Sequence, residues 1–195
     1  MADIARMSRS SLDSLSELAR TVAESLGGEI SAYGEFARAT IEAGGRLLFC
    51  GNGGSAADAQ HLAAEYVVRL ARSRRPLAAL ALTTDTSVLT ASANDLGYDQ
   101  VFARQVDALG RPGDLLVLHS TSGESENLIQ AAGTATRAGL FTVALLARGG
   151  GRLRSMVDVA IVVPTDRASR AQEIHLAIGH IVCGYVEESI LENPE

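Results

Sequence analysis

The chain has 195 residues, of which 47% are apolar, so it is long enough to bury the core of one globular domain. Its net charge of -6 disfavours nucleic acids and anionic membranes as partners, and no stretch is expected to span a bilayer. The N-terminus lacks a basic segment followed by an apolar run, and Cys50 and Cys183 lie among apolar residues. We therefore expect a cytoplasmic protein with two buried thiols.

The first 44 residues predict a helical hairpin. Apolar residues recur at helical spacing from Leu12 to Leu26, Gly27 and Gly28 interrupt the pattern, and a second helix follows to Ala43. We expect this extension to lie outside the sheet layers. It packs either against a second subunit, with a role in oligomerisation, or against its own domain.

Residues 45–195 alternate between short apolar segments and helical segments. Unbroken apolar runs of this length are typical of strands that are buried on both faces of a parallel sheet. The runs cover residues 47–50, 77–82, 115–119, 141–146 and 159–163, and the last helix covers 168–191. The pattern predicts an α/β fold with a doubly wound, five-stranded parallel sheet, and a single domain over residues 1–195.

Three loops that follow predicted strands suit an anionic ligand, which such folds bind beyond the carboxyl ends of their strands. Gly51-Asn52-Gly53-Gly54-Ser55 leads into a helix whose first N–H groups are free to bind an anion. Ser120-Thr121-Ser122-Gly123-Glu124-Ser125 offers more hydroxyls than helix capping requires and therefore suits a phosphate, provided that Glu124 points away. The third loop, residues 83–87, is followed by Asn94 and Asp95.

The first of these loops also fits a weak dinucleotide-binding pattern. That pattern requires an acidic residue about twenty positions further on, and Asp85 lies beyond that spacing. The serine-rich second loop also disfavours a dinucleotide-dependent oxidoreductase.

Histidines and a carboxylate form the remaining candidate site. His61 and Glu65 are four residues apart and share one helix face, as an ordinary hydrogen-bonded pair or as part of a metal or acid/base site. In the last helix, His175 and His180 lie on different faces, so at most one faces the site and the other belongs to the core. Gln172 and His180 lie about 12 Å apart along the helix axis, and spacing alone does not select them as a pair.

Together, these motifs resemble the SIS-domain family, which has a flavodoxin-like fold, and within it the phosphoheptose isomerases. The resemblance covers essentially the whole chain. It rests on four segments in the same order, namely Gly51 to His61, Asn94-Asp95, Ser120 to Gly123, and Gln172-Glu173-Ile174-His175.

The resemblance implies a homotetramer with one zinc ion per subunit and active sites at the subunit interfaces. The implied zinc ligands are His61, Glu65, Gln172 and His180. The implied sugar-phosphate contacts are Asn52, Gly53, Gly54, Ser55, Glu65, Asn94, Asp95, Ser120, Thr121, Ser122, Ser125 and Gln172. Glu124 and Ser169 depart from the family pattern, and both could shift affinity or substrate preference.

The implied reaction converts sedoheptulose 7-phosphate to D-glycero-D-manno-heptose 7-phosphate through an enediol(ate). Such a reaction needs an acid/base pair and stabilisation of a negative oxygen, for which Glu65, His180 and zinc are suited. The alternative is a non-catalytic SIS-domain protein that senses a sugar phosphate or binds a replication initiator. The presence of both Glu65 and His180 favours the enzyme.

Overall fold

A computed structural model describes residues 3–192 of the chain and has a five-stranded, all-parallel sheet at its centre. The strands are β1 (Leu47–Gly51), β2 (Ala79–Ala81), β3 (Leu115–Ser120), β4 (Phe141–Leu146) and β5 (Val159–Val162). They lie in the order β2-β1-β3-β4-β5, which confirms the predicted sheet. Because the chain winds outward in both directions from β1 and β3, the crevice beyond their carboxyl ends is where such folds bind ligands.

Helices cover both faces of this sheet. They are α1 (Ile4–Ser25), α2 (Gly27–Glu42), α3 (Gly54–Val67), α4 (Thr86–Leu96), α5 (Ala103–Leu109), α6 (Glu126–Arg137) and α7 (Ala168–Glu192), with short 3-10 turns at Tyr98–Gln100, Arg148–Gly150 and Arg152–Ser155. The helices α2, α3 and α7 pack on one face, and α4, α5 and α6 pack on the other.

The strands are unbroken apolar runs because both of their faces are buried. Leu47 and Phe49 of β1 pack in the core with α2, α3 and α7, whereas Leu48 and Cys50 pack in the core with α5 and α6. Cys50 and Cys183 are both buried free thiols, as expected.

The N-terminal hairpin corrects the expectation that residues 1–44 lie outside the sheet layers. Tyr33, Ala37 and Ile41 of α2 are buried in the same core as α7 and the sheet. Of residues 4–25 in α1, only Val22 is buried, and Leu12 stays exposed. Both helices carry apolar residues at helical spacing, and that spacing alone does not say which of them packs against the sheet.

Helix α7 corrects the expectation that no stretch is long and apolar enough for a bilayer. It has 25 residues, and the mean hydropathy of its most apolar 18-residue window is 1.2, so length and composition alone would allow a span. Yet 44% of that window is buried inside the fold, and the helix carries the buried charged residues Arg170 and Glu187. The core helix of a soluble protein can have the same length and hydropathy, so these two properties are weak evidence for a membrane span.

A buried ion pair fastens the end of α3 to α7. Arg74 Nε lies 3.2 Å from Glu187 Oε1, and the two side chains are 1% and 2% exposed. The Arg74 guanidinium also donates to the carbonyl oxygens of Glu65 and Tyr66, which end α3. Glu187 accepts the N–H groups of residues 70–72. Because every contact crosses between segments, the pair fixes the position of α3 relative to α7.

Two opposing effects set the pKa of Glu187. Burial raises it, but the three N–H donors and the Arg74 charge together hold it below the ordinary value of 4.5. A carboxylate whose pKa is lower in the folded state stabilises the fold above its unfolded pKa. That contribution is lost as the pH falls through the folded value, so it disappears only in acid below about pH 4.5.

We expect Glu187→Gln to lower the free energy of unfolding by about 3–5 kcal/mol at neutral pH, because it leaves the Arg74 charge buried without its partner. The matched control is Glu42→Gln, which removes one partner of the exposed Arg38–Glu42 pair and should cost less than about 1 kcal/mol. Urea denaturation measures both. Equal losses in the two variants would contradict the role of the buried pair.

Candidate active site

The candidate site lies where α7 crosses α3, and a glycine sets the closeness of that crossing. A β-carbon at Gly179 would lie 2.5 Å from both Cδ atoms of Leu62 in α3. Only a residue without a side chain permits this approach. Since His180 follows Gly179 directly, the close crossing brings the ring of His180 to α3.

His61, Glu65 and His180 meet at this crossing. The Nε2 atoms of His61 and His180 lie 2.9 Å apart, and Glu65 Oε1 lies 3.3 Å from His61 Nε2. One ligand atom from each residue falls within 4.8 Å of the others, so the group could hold a metal ion. The side chains of His61 and Glu65 are 46% and 21% exposed, which leaves the group open to a ligand.

The other histidine of α7 belongs to the core, which agrees with the expectation that only one of the two faces the site. His175 is buried, and its Nε2 atom lies 3.0 Å from the carbonyl oxygen of Leu146. Burial lowers the pKa of His175 to about 4. It also lowers the pKa of His119 at the end of β3 to about 3, with a further contribution from His175. Both rings are therefore neutral near pH 7.

An amide pair joins the loops that follow β1 and β3. Asn52 and Asn127 exchange two hydrogen bonds of 3.0 and 2.9 Å, and the hydroxyl of Tyr98 donates to Asn52 Oδ1 over 3.1 Å. Asn127 is buried in the first turn of α6. Neither Asn127 nor Tyr98 was predicted from the sequence, although a polar residue at a buried position of α6 was a usable signal.

The first loop turns at a glycine and runs under the start of α7. Gly53 has a positive φ of 58°, which favours glycine, and it caps α3 without a side-chain hydrogen bond. A β-carbon at Gly54 would lie 2.6 Å from Gln172 Nε2, and the same amide lies 3.5 Å from Ser55 Oγ. Gln172 is thus placed against this loop, and its role as a fourth metal ligand stays a prediction.

The second loop leaves two of its four hydroxyls free. Ser120 Oγ accepts the N–H of Gly123, and Ser122 Oγ accepts the N–H of Glu124. Ser125 occupies the N-cap of α6 but makes no side-chain cap bond. Within residues 3–192, neither Ser125 nor Thr121 uses its hydroxyl in a hydrogen bond, so capping does not account for them and they remain available to a ligand.

Glu124 is turned towards Arg152 rather than left facing a ligand. Its two carboxylate oxygens accept the backbone N–H and the Nε–H of Arg152, over 2.9 and 2.8 Å. These hydrogen bonds to the Arg152 side chain and backbone hold the pKa of Glu124 below its ordinary value, so it is ionised at neutral pH.

The third loop supplies a helix cap and an exposed polar pair. Asp85 accepts the N–H of Val88 and caps α4, which gives that carboxylate a structural role in place of nucleotide binding. Asn94 and Asp95, further along α4, are exposed and hydrogen-bonded to each other over 2.7 Å. Tyr98, which follows the end of α4, donates a hydrogen bond to Asn52 of the first loop. Substrate contacts by Asn94 and Asp95 stay predictions.

One further carboxyl near the metal-binding group escaped the sequence analysis. Asp58 lies one turn before His61 on α3, and burial raises its pKa to about 6, an effect that His61 partly opposes. Its Oδ2 atom has no hydrogen-bond partner within residues 3–192. An aspartate at this helical spacing looks like a solvated residue in the sequence.

Comparison with known proteins places this geometry in a family. Residues 12–147 match the SIS domain model. The phosphoheptose isomerase of Akkermansia muciniphila is 51% identical over 166 residues, which cover 85% of this chain and 88% of that protein. The chain belongs to the phosphoheptose isomerase family. It is accordingly a sugar-phosphate isomerase.

Solved structures of the family share the whole fold. The phosphoheptose isomerase of Neisseria gonorrhoeae aligns with a TM-score of 0.90 at 39% identity, over 95% of this chain and 100% of that one. The one from Francisella tularensis aligns with a TM-score of 0.88 at 33% identity, over 96% and 100% of the two chains. The resemblance drawn from the motifs is confirmed.

We expect Gly179→Ala to weaken divalent-metal binding and to lower the free energy of unfolding by about 1–3 kcal/mol, because the new methyl group pushes α7 away from Leu62. Calorimetric metal titration and urea denaturation measure the two effects.

The control is Gly184→Ala in the same helix, where the added β-carbon meets only Leu70 at an ordinary 3.7 Å. Since alanine favours helix by about 1 kcal/mol over glycine, this variant should be neutral or more stable. Unchanged metal affinity in Gly179→Ala would show that the close crossing does not set the site.

Proposed function

We propose that the protein converts sedoheptulose 7-phosphate to D-glycero-D-manno-heptose 7-phosphate. The observation that carries the proposal is the convergence of His61, Glu65 and His180 beside two loops suited to a phosphate, in a chain of the phosphoheptose isomerase family. These loops flank the crevice between β1 and β3, where folds of this topology bind their ligands.

The reaction moves a proton between two adjacent carbons. A base takes a proton from C1 of the ketose, and the enediol(ate) that forms accepts a proton at C2. The C2 carbonyl oxygen gains a proton and becomes a hydroxyl, while the C1 hydroxyl loses its proton and becomes the aldehyde carbonyl. Glu65 and His180 form the acid/base pair, because each has a proton-accepting atom at the same opening of the site. Either residue is suited to take the first proton.

A zinc ion fits the donor atoms at the crossing. Two imidazole nitrogens and one carboxylate oxygen are ligands typical of zinc, and they face one another in the free protein. His61, Glu65 and His180 would hold the ion, with Gln172 as the fourth ligand, one ion per subunit. When bound, the metal would polarise the substrate carbonyl as a Lewis acid.

The phosphate group of the substrate binds at the second loop. The hydroxyls of Thr121 and Ser125 are free for its oxygens, and the N-terminus of α6 offers N–H groups and a positive dipole end. Asn52, Gly53, Gly54 and Ser55 line the sugar on the other side, with Gln172 against them. Glu65, Asn94, Asp95, Ser120 and Ser122 complete the proposed set of substrate contacts.

We also propose a cytoplasmic homotetramer without nucleic acid or membrane as partner, in which residues 1–195 form one unit and the N-terminal hairpin takes part in assembly. Exposed apolar side chains support the assembly. In α1, they include Ile4, Met7 and Leu12, and in α7, Ile181 lies one residue beyond His180. An interface over these surfaces would bring neighbouring subunits close to the site.

We expect Glu65→Gln and His180→Gln each to lower kcat by about 100-fold or more, because each removes one half of the acid/base pair. NMR of the product formed from sedoheptulose 7-phosphate measures the rate, and circular dichroism verifies the fold. The control is Glu188→Gln, an exposed carboxylate further along α7. Full activity in either site variant would remove the role given to that residue. A wild-type protein that binds the sugar phosphate without turnover would instead be a sensor.

Chelation should abolish the isomerase activity, and added zinc should restore it, because the metal polarises the substrate carbonyl. Elemental analysis of the purified protein provides a readout that does not depend on activity. We expect about one zinc per chain in the wild type and much less in His61→Ala, which lacks one ligand. Equal zinc content in the two proteins would place the metal elsewhere.

A further inference from the structure

The second loop, residues 120–125, is called the phosphate loop below because we propose that it binds the phosphate group. It contains a negatively charged residue, Glu124. Glu124 lies between Ser122 and Ser125, the residues that frame the loop's turn into α6. A carboxylate free to rotate at this position would repel a doubly charged phosphate at close range. In the structure, an ion pair with Arg152 offsets this repulsion.

Arg152 holds the Glu124 carboxylate at both oxygens. The backbone N–H of Arg152 donates to Oε1 over 2.9 Å, and its Nε–H donates to Oε2 over 2.8 Å. The same guanidinium reaches Glu126 Oε2 over 3.0 Å, in the first turn of α6. Two donors on one carboxylate fix its direction as well as balancing its charge.

The backbone around this pair is interlocked. Leu153 N–H donates to the carbonyl oxygen of Gly123 over 3.1 Å. A β-carbon at Gly123, which has a φ of 68°, would collide with the carbonyl of Gly150. The segment from Gly150 to Leu153 therefore lies directly against the phosphate loop. Arg152 is part of that contact and not a remote surface charge.

We propose that Arg152 is a positioning residue for phosphate binding, which holds Glu124 away from the substrate and cancels its charge. The proposal rests on the phosphate-binding role given above to the second loop. Both side chains are about half exposed, at 54% and 51%, so the pair adds little to stability. Its effect is on the affinity for the phosphate group.

The test compares Arg152→Ala, Glu124→Gln and the double variant. We expect Arg152→Ala to raise the KM for sedoheptulose 7-phosphate, and the Kd for inorganic phosphate, by about three- to tenfold, while kcat changes by less than about twofold. The double variant should return both constants to near the wild-type values, because the Glu124 carboxylate is gone and Glu126 keeps its hydrogen bond from Gln130. The defect of Arg152→Ala should shrink at high salt, which a purely structural defect would not do.

Arg154→Ala is the matched control. It removes the same charge from the same short helical turn, and among residues 3–192 Arg154 forms no ion pair and does not contact Glu124. Its two constants should stay within about twofold of the wild-type values. An equal rise in both arginine variants would show a general charge effect and overturn the proposal.

Two results separate this inference from the proposed function. If Arg152→Ala binds inorganic phosphate like the wild type, or if the double variant stays as impaired as Arg152→Ala, the role of Arg152 is overturned. If the wild type binds inorganic phosphate and the Arg152 series behaves as expected, but sedoheptulose 7-phosphate is not isomerised, then only the proposed function fails.

Discussion

The close crossing of α3 and α7 is the contact on which the site depends. It is fixed at two places along the helices. At one, Gly179 lets the backbone of α7 approach Leu62, and at the other, the buried pair of Arg74 and Glu187 ties the last carbonyls of α3 to α7. Between these points, a shift of one helix by an ångström would separate the donor atoms of His61 and His180. Close packing of the interior resists such a shift, because it would open voids on one side and clashes on the other.

The loops of the crevice are connected to one another and to this crossing. Asn52 and Asn127 join the loops after β1 and β3, and Gln172 at the start of α7 lies against Ser55. Each connection is a hydrogen bond between side chains that are at least half-buried, where a donor or acceptor left without a partner is costly. The crevice is therefore largely organised in the free protein. A substrate that entered it would lose little affinity to ordering of the loops.

The parts of the fold that were predictable from the sequence are those with a local cause. The five strands are short apolar runs because both faces of a parallel sheet are buried. The loops after β1 and β3 stood out because they are rich in glycine and in hydroxyl side chains, more of them than turns and helix caps require. Helical spacing also predicted that only one of His175 and His180 faces the site, but it did not decide which; His180 was selected by the resemblance to the family. The local pattern did not separate α1 from α2, since both carry apolar residues at helical spacing although Tyr33 is fully buried and Leu12 is exposed. It also predicted that no stretch is long and apolar enough for a bilayer, which the length and hydropathy of α7 contradict.

The sequence by itself determined the sheet, the glycine-rich and serine-rich loops after β1 and β3, and the pairing of His61 with Glu65, since each follows from residues near one another along the chain. Only the tertiary structure decided that His180 lies beside His61, that Asn127 braces Asn52, and that Arg152 neutralises Glu124. These contacts join residues between 28 and 119 positions apart. The physical reason is that residues so far apart along the chain form no repeating sequence pattern that would indicate their contact. Their distances are set by how whole helices and loops pack, as at Gly179, where α7 lies too close to Leu62 of α3 to leave room for a β-carbon.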